Sequence, residues 1–183
     1  VHPVPLGFGR VYVHLDQTLT TRSWLAGLKS GHSFVTTGPM LFTTVNGQRP
    51  SSNPQDAIRN VNQVTIQAEI QSANPITQVE ILINGDIVAT SDPEARQTAS
   101  GAYATQFKFE SPIKTSAWIV ARCFTRLPNG RERFAHSAPF YVDVPDRPIR
   151  PKREELEFLT QRMKEEIRRN EQILPSDALD EFR

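Results

Sequence analysis

The strongest constraint on this chain is a two-residue periodicity. Val64, Ile66, Ala68 and Ile70 alternate with Thr65, Gln67 and Glu69, while Tyr103, Thr105, Phe107 and Phe109 alternate with Gln106, Lys108 and Glu110. Successive side chains of a strand point to opposite faces, so each run predicts a strand with one buried and one wet face. Val79, Ile81 and Ile83 lead into Asn84-Gly85 and then Ile87 to Ala89, a hairpin with a type I′ turn. Ala117 to Phe124 is apolar on both parities apart from Arg122, which predicts a central strand. Leu127-Pro128-Asn129-Gly130 turns the chain, and Phe134 followed by Phe140 to Val144 gives the last strand. Six or seven short antiparallel strands predict an immunoglobulin-like β-sandwich. An antibody-type domain is excluded, because Cys123 is the one cysteine of the chain.

A different pattern precedes this region. Val1 to Gly9 is rich in proline and glycine and reads as extended. Arg10 to Leu15 alternates and predicts a half-buried strand. Thr20 and Thr21 are N-cap candidates for a short helix with Trp24, Leu25 and Leu28 on its apolar face and Gly31 at C′. Ser33 to Val35 runs into the corner Thr36-Thr37-Gly38-Pro39, and Met40 to Val45 leaves that corner for the turn at Asn46-Gly47. The order is strand, helix, strand, strand. Ser51 to Asn62 and Ser91 to Ala102 read as loops, and Trp24 and Trp118 sit in apolar contexts that suggest core.

The other end is helical. Three prolines make Pro145 to Pro151 a stiff linker, and Glu154 to about Ile173 predicts a helix. Its apolar stripe, Leu156, Leu159, Met163 and Ile167, is narrow and requires a partner: the sandwich, another domain or a second copy of the chain. Arg162–Glu166 and Glu165–Arg169 are expected ion pairs, Pro175 ends the helix, and Ser176 can cap a final turn.

Charge and composition narrow the function. The 183 residues carry 21 basic and 20 acidic side chains, a net charge of +1. That balance argues against a nucleic-acid-binding surface. No run approaches the ~20 apolar residues of a membrane-spanning helix, so the chain is expected to be soluble and to have no membrane partner. It begins with Val1 rather than Met, which fits a segment of a longer protein. If a signal peptide has been lost, a secreted or periplasmic location is open. Cys123, flanked by apolar strand residues, reads as a buried thiol rather than a nucleophile.

Motifs for chemistry are few. The histidines are His2, His14, His32 and His136, none of them in H-x-H, H-E-x-x-H or Cys/His spacing. His14 and Asp16 share a strand face and either help hold a metal or form a solvated strand end. His32 follows the helix-ending glycine, where a cation suits the helix C-terminus. His136 either points into a neighbouring cavity or caps a strand through Ser137. Arg10 and Arg122 lie in strands and need partners if buried, for Arg122 a carboxylate such as Glu69 or Glu80, or an interface. Ser33, Thr36 and Thr37 lie near glycines without a G-x-S-x-G elbow, and Gly7-Phe8-Gly9 lacks the rest of a phosphate loop.

Several segments together resemble one family. PLGFGRVYVHLD (Pro5–Asp16), SWLAGLKSG (Ser23–Gly31), SFVTTGPML (Ser33–Leu41), VEILINGDIV (Val79–Val88), WIVARCF (Trp118–Phe124) and AHSAPFYVDV (Ala135–Val144) resemble, in order and spacing, the C-terminal part of CehA/McbA-type metallohydrolases. These are carbaryl-hydrolase-like members of the PHP superfamily. The glycine motif more often has Arg where this chain has His32. The resemblance implies that 1–50 is the C-terminal end of a PHP-like domain lying mostly before Val1. It makes 51–145 the sandwich, and 146–183 the linker and amphipathic helix. It implies a divalent metal in that preceding domain and no cofactor in this chain. No position matches the family's metal motif, so no catalytic or metal-ligating residue is carried over. Arg10, His14, His32, Thr36, Arg122 and His136 remain as weak ligand or domain-interface candidates. The expected function is an accessory region of a metal-dependent hydrolase, not catalytic by itself, whose partner is the preceding catalytic domain. The alternative is a non-enzymatic carbohydrate- or protein-binding module. A homo-oligomer through Leu156, Leu159, Met163 and Ile167 is a third possibility.

Overall fold

The structure, a computed structural model, describes residues 6–171 together with Ile173, Pro175 and Ala178. His2, Ser176 and the first five residues of the extended lead-in lie outside the described residues. Two compact units are present, Val1–Pro148 and Ile149–Arg183.

The first unit is a sandwich of two sheets. One sheet holds β3 (Met40–Val45), β5 (Gln63–Ser72), β9 (Tyr103–Pro112) and β8 (Arg96–Gln97), in that order. The other is centred on β10 (Ala117–Arg126). One edge of β10 pairs with β6 (Ile76–Ile83), which carries β7 (Asp86–Ser91). The other edge pairs in succession with β12 (Phe140–Asp143) and β11 (Glu132–Ser137). Relabelled from β3 onward, these strands are A-B-E-D against C′-C-F-G, the immunoglobulin-like arrangement. β2 (Ser33–Thr36) and then β1 (Arg10–Val13) extend the second sheet beyond β11. The short β4 (Ile58–Arg59) joins β12 in parallel.

The two-residue periodicity gives the core. Val64, Ile66, Ala68 and Ile70 of β5 face Val79, Ile81, Ile119 and Cys123 of the opposite sheet, all at most 1 % exposed. Each large aliphatic side chain so buried contributes about 1.5–3 kcal/mol. Asn46 (φ 50°) with Gly47 (76°), and Asn84 (52°) with Gly85 (87°), take positive φ at both central positions, as a type I′ turn requires. β2 and β3 belong to opposite sheets, and Thr36 secures the corner between them. Its hydroxyl donates to Pro39 O (2.6 Å) and accepts from Gly38 N–H (2.9 Å).

Some expectations change. Residue 50 is not a structural boundary, because β2 and β3, which precede it, pair with β11 and β5, which follow it. The polar stretch 51–62 contains a 3-10 turn at Pro54–Asp56 and β4, held by Arg59–Asp143 (3.1 Å). The last strand is two strands, interrupted at Ala138-Pro139. Trp24 and Trp118 are half-buried rather than core. Trp118 takes the outward parity of β10, opposite Tyr141.

Helix α1 (Thr21–Lys29) begins at Thr20, whose hydroxyl accepts from Ser23 N–H (3.0 Å). It ends in Gly31 at φ +74°, where His32 N–H reaches Gly27 O (3.1 Å). Its packing follows its apolar residues only in part: Trp24 and Leu28 are half-buried, beside Ser23 and Gly27. Gly27 lies against Val13 of β1, where an added Cβ would come within 2.6 Å of Val13 Cγ1. Ser23 is the buried residue of α1, and Leu25 is 53 % exposed.

In the second unit, α2 (Arg153–Asn170) has no buried residue. Glu155 accepts from Lys152 N–H (3.1 Å) at its start. The ion pairs are Arg153–Glu157 (2.7 Å), Arg162–Glu165 (2.9 Å) and Arg169–Glu166 (2.9 Å), so the expected i,i+4 pairs of Arg162 and Arg169 are replaced by i,i+3 pairs.

Candidate functional site

A cleft of about 720 Å³ lies between β1 with the Arg49-Pro50 segment and the β3-β5-β9 sheet. That volume suits a small ligand. Register builds its floor as two rows across three strands, Phe42–Glu69–Gln106 and Thr44–Gln67–Lys108. Tyr12, Phe34 and Phe42 form its apolar wall. Tyr12 stacks on Phe34 at 5.3 Å and 9°, and Phe42 meets Phe34 edge-on at 5.8 Å and 73°. Phe34 is buried, while Tyr12 and Phe42 keep exposed ring surface.

One end of the cleft is polar. Both Arg49 Nη1 (2.8 Å) and His14 Nε2 (3.2 Å) donate to Asp16 Oδ1. Arg49 first, and His14 second, hold the Asp16 carboxyl below its ordinary value. A carboxylate oxygen engaged by a guanidinium is a poor metal donor, because the fixed cation repels the ion. No group of three His, Cys, Asp or Glu residues comes together among the described residues. The residues described do not fit a catalytic metal.

The six sequence candidates separate. His14 and His32 both line the cleft. Arg10 lies in a smaller hollow of about 380 Å³ with Arg133, whose guanidinium stacks over Phe8 at 4.1 Å. Thr36 is the corner residue and is buried. Arg122 pairs with Glu80, the residue opposite it on β6, and lies 5.6 Å from the Phe124 ring. His136 donates from Nδ1 to Ser137 O (2.7 Å) and sits beside Arg122 in register. The sequence reading missed Tyr12, Phe42, Arg49, Glu69, Gln106 and Lys108. The wet parity of Glu69, Gln106 and Lys108 was visible, but the register that gathers the set was not.

Comparisons with known protein families, with curated proteins and with solved structures found no match.

Proposed function

We propose that this chain is the non-catalytic accessory β-sandwich of a PHP-type metal-dependent hydrolase, seated against its catalytic domain through α1 and β1. The observation that carries this reading is the set of apolar residues left exposed on and around α1. Its buried residue is Ser23, whereas Leu25 (53 %), Leu19 just before it (70 %) and Val11 of β1 (41 %) are exposed. All three lie on or next to α1 and β1, the elements that this reading sets against the catalytic domain. The metal and the water it activates belong to the catalytic domain. The role of this chain is to present these exposed apolar residues as a shelf for that domain, together with the cleft.

The test has two arms. The 183-residue chain is assayed for bound divalent metal and for hydrolysis of generic ester and phosphoester substrates; metal-dependent turnover by this chain alone would overturn the reading. Protein isolated from its source is then examined by intact mass and metal content. A larger, metal-bearing hydrolase destabilised by Leu25→Glu supports the proposal, provided the same substitution leaves the isolated chain's melting temperature unchanged. A parent indifferent to Leu25→Glu removes the shelf from the interface.

A second reading, a carbohydrate-binding module, is favoured by the cleft itself. Exposed Tyr12 and Phe42 rings beside Gln67, Gln106 and Glu69 offer a stacking face next to hydrogen-bonding groups. Retardation on immobilised polysaccharides, lost in Phe42→Ala, would support it; migration unaffected by any glycan would sink it.

A further inference from the structure

We infer that α2 is a self-association element that pairs antiparallel with α2 of a second copy of this chain. Three features of the helix converge. First, most of its apolar stripe is exposed: Leu156, Leu159 and Met163 are 49 %, 59 % and 51 % exposed, and Ile167 is half-buried. Helices in proteins draw most of their stability from packing an amphipathic face, and this 18-residue helix has no buried residue. Second, the stripe is self-complementary. The stripe is centred between Gln161 and Arg162, so a two-fold axis there sets Leu156 against Ile167 of the other copy and brings Leu159 to within one residue of Met163.

Third, charge selects both the occupant and the direction. The first half, Arg153 to Gln161, carries three carboxylates and one guanidinium, while the second half, Arg162 to Asn170, carries four cations and two carboxylates. A parallel pair would lay acid on acid and base on base. An antiparallel pair lays the acidic half of each copy along the basic half of the other, with Glu155 near Arg169 and Glu157 near Lys164. Flanking charges of this kind set orientation and partner choice in paired helices. The ion pairs within each helix do not cancel the asymmetry, since they leave each half its net charge. This inference does not depend on the accessory reading, because it concerns a different unit of the chain.

The test is the mass of the full chain across concentration, by sedimentation equilibrium at low and high salt. The expected result is a reversible monomer–dimer equilibrium, weakened by salt. Leu159→Glu should raise the dissociation constant roughly tenfold or more, because it places a charge in the apolar contact. Two reversal variants, Glu155→Lys with Glu157→Lys and Lys164→Glu with Arg169→Glu, should each be monomeric alone and dimerise when mixed. Direction is read by cross-linking: Arg153→Cys should couple to Asn170→Cys in a mixed sample and not to itself. Four results would overturn the inference. They are a monomer at all concentrations, a dimer indifferent to Leu159→Glu, reversal variants that dimerise alone, and self-coupling of Arg153→Cys.

Discussion

Cys123 sits in the middle of β10 with no exposed surface, and burial pushes its thiol from 9.0 up to about 12. The neutral thiol is therefore favoured in the folded protein. The stability it represents is complete below the unfolded value near 9 and is lost as pH rises from there toward 12. We expect the native protein to resist thiol-specific reagents at pH 8 and to react once unfolded; rapid native labelling would contradict the burial. One position before it, on the opposite face of β10, Arg122 faces Glu80, whose side chain is 8 % exposed against 31 % for the arginine. The sequence left three roles open for Arg122: a pair with Glu69, a pair with Glu80, or an interface. Register decides, since Glu80 lies on the adjoining strand and Glu69 in the other sheet. Arg122→Ala strands a buried carboxylate and is expected to cost about 2 kcal/mol, below the range for fully buried pairs because the arginine is partly hydrated. The pair Arg122→Ala with Glu80→Ala should recover part of that loss in denaturant unfolding. A simple sum of the two single effects would mean that the pair is not coupled.

Elements were legible where periodicity had room to act. β5 and β9, each of 10 residues, follow their alternation, and the double-parity apolar run of β10 does mark the strand with neighbours on both edges. The two-residue strands β4 and β8 were not, because so short a run has no period and is defined by its neighbour. Helix α1 was found, and Trp24 and Leu28 are half-buried, but its closest contact was not read. Leu and Trp predict which face is apolar, whereas the contact with β1 is made at a glycine, whose lack of a side chain permits close approach. That contact makes a prediction. Gly27→Ala would normally stabilise a helix by about 1 kcal/mol. Here the new methyl meets Val13 Cγ1, so the variant should melt at or below the temperature of the parent chain. In a Val13→Ala background, where the obstruction is gone, the same change should stabilise relative to Val13→Ala alone. If Gly27→Ala stabilises in both backgrounds, α1 does not pack on β1 as described.

At the scale of the whole molecule, the sequence revealed the two ends of the chain and hid how its middle closes. The cleft is assembled from β1, β2, β3, β5 and β9, whose registers are set by long-range pairing, so its rows could not be read along the chain. The linker, by contrast, is local and was legible from its prolines. Its first part is tied to the sandwich: Arg147 O accepts from Ser116 N–H (2.8 Å), and Arg147 Nη1 donates to Lys114 O (2.9 Å). Arg147 and Arg150 each precede a proline, which blocks tryptic cleavage, so the first open bonds follow Lys152 and Arg153. Limited trypsinolysis should trim α2 and leave a resistant sandwich ending at one of those residues. Because α2 has no buried residue, the trimmed sandwich should melt within about 2 °C of the full chain at low protein concentration. At high concentration the full chain alone should gain stability with concentration, as mass action requires of a self-associating protein. A trimmed sandwich that melts far lower at every concentration would show that α2 contributes to the stability of the sandwich within one chain, and the second copy would no longer be needed to cover its apolar stripe.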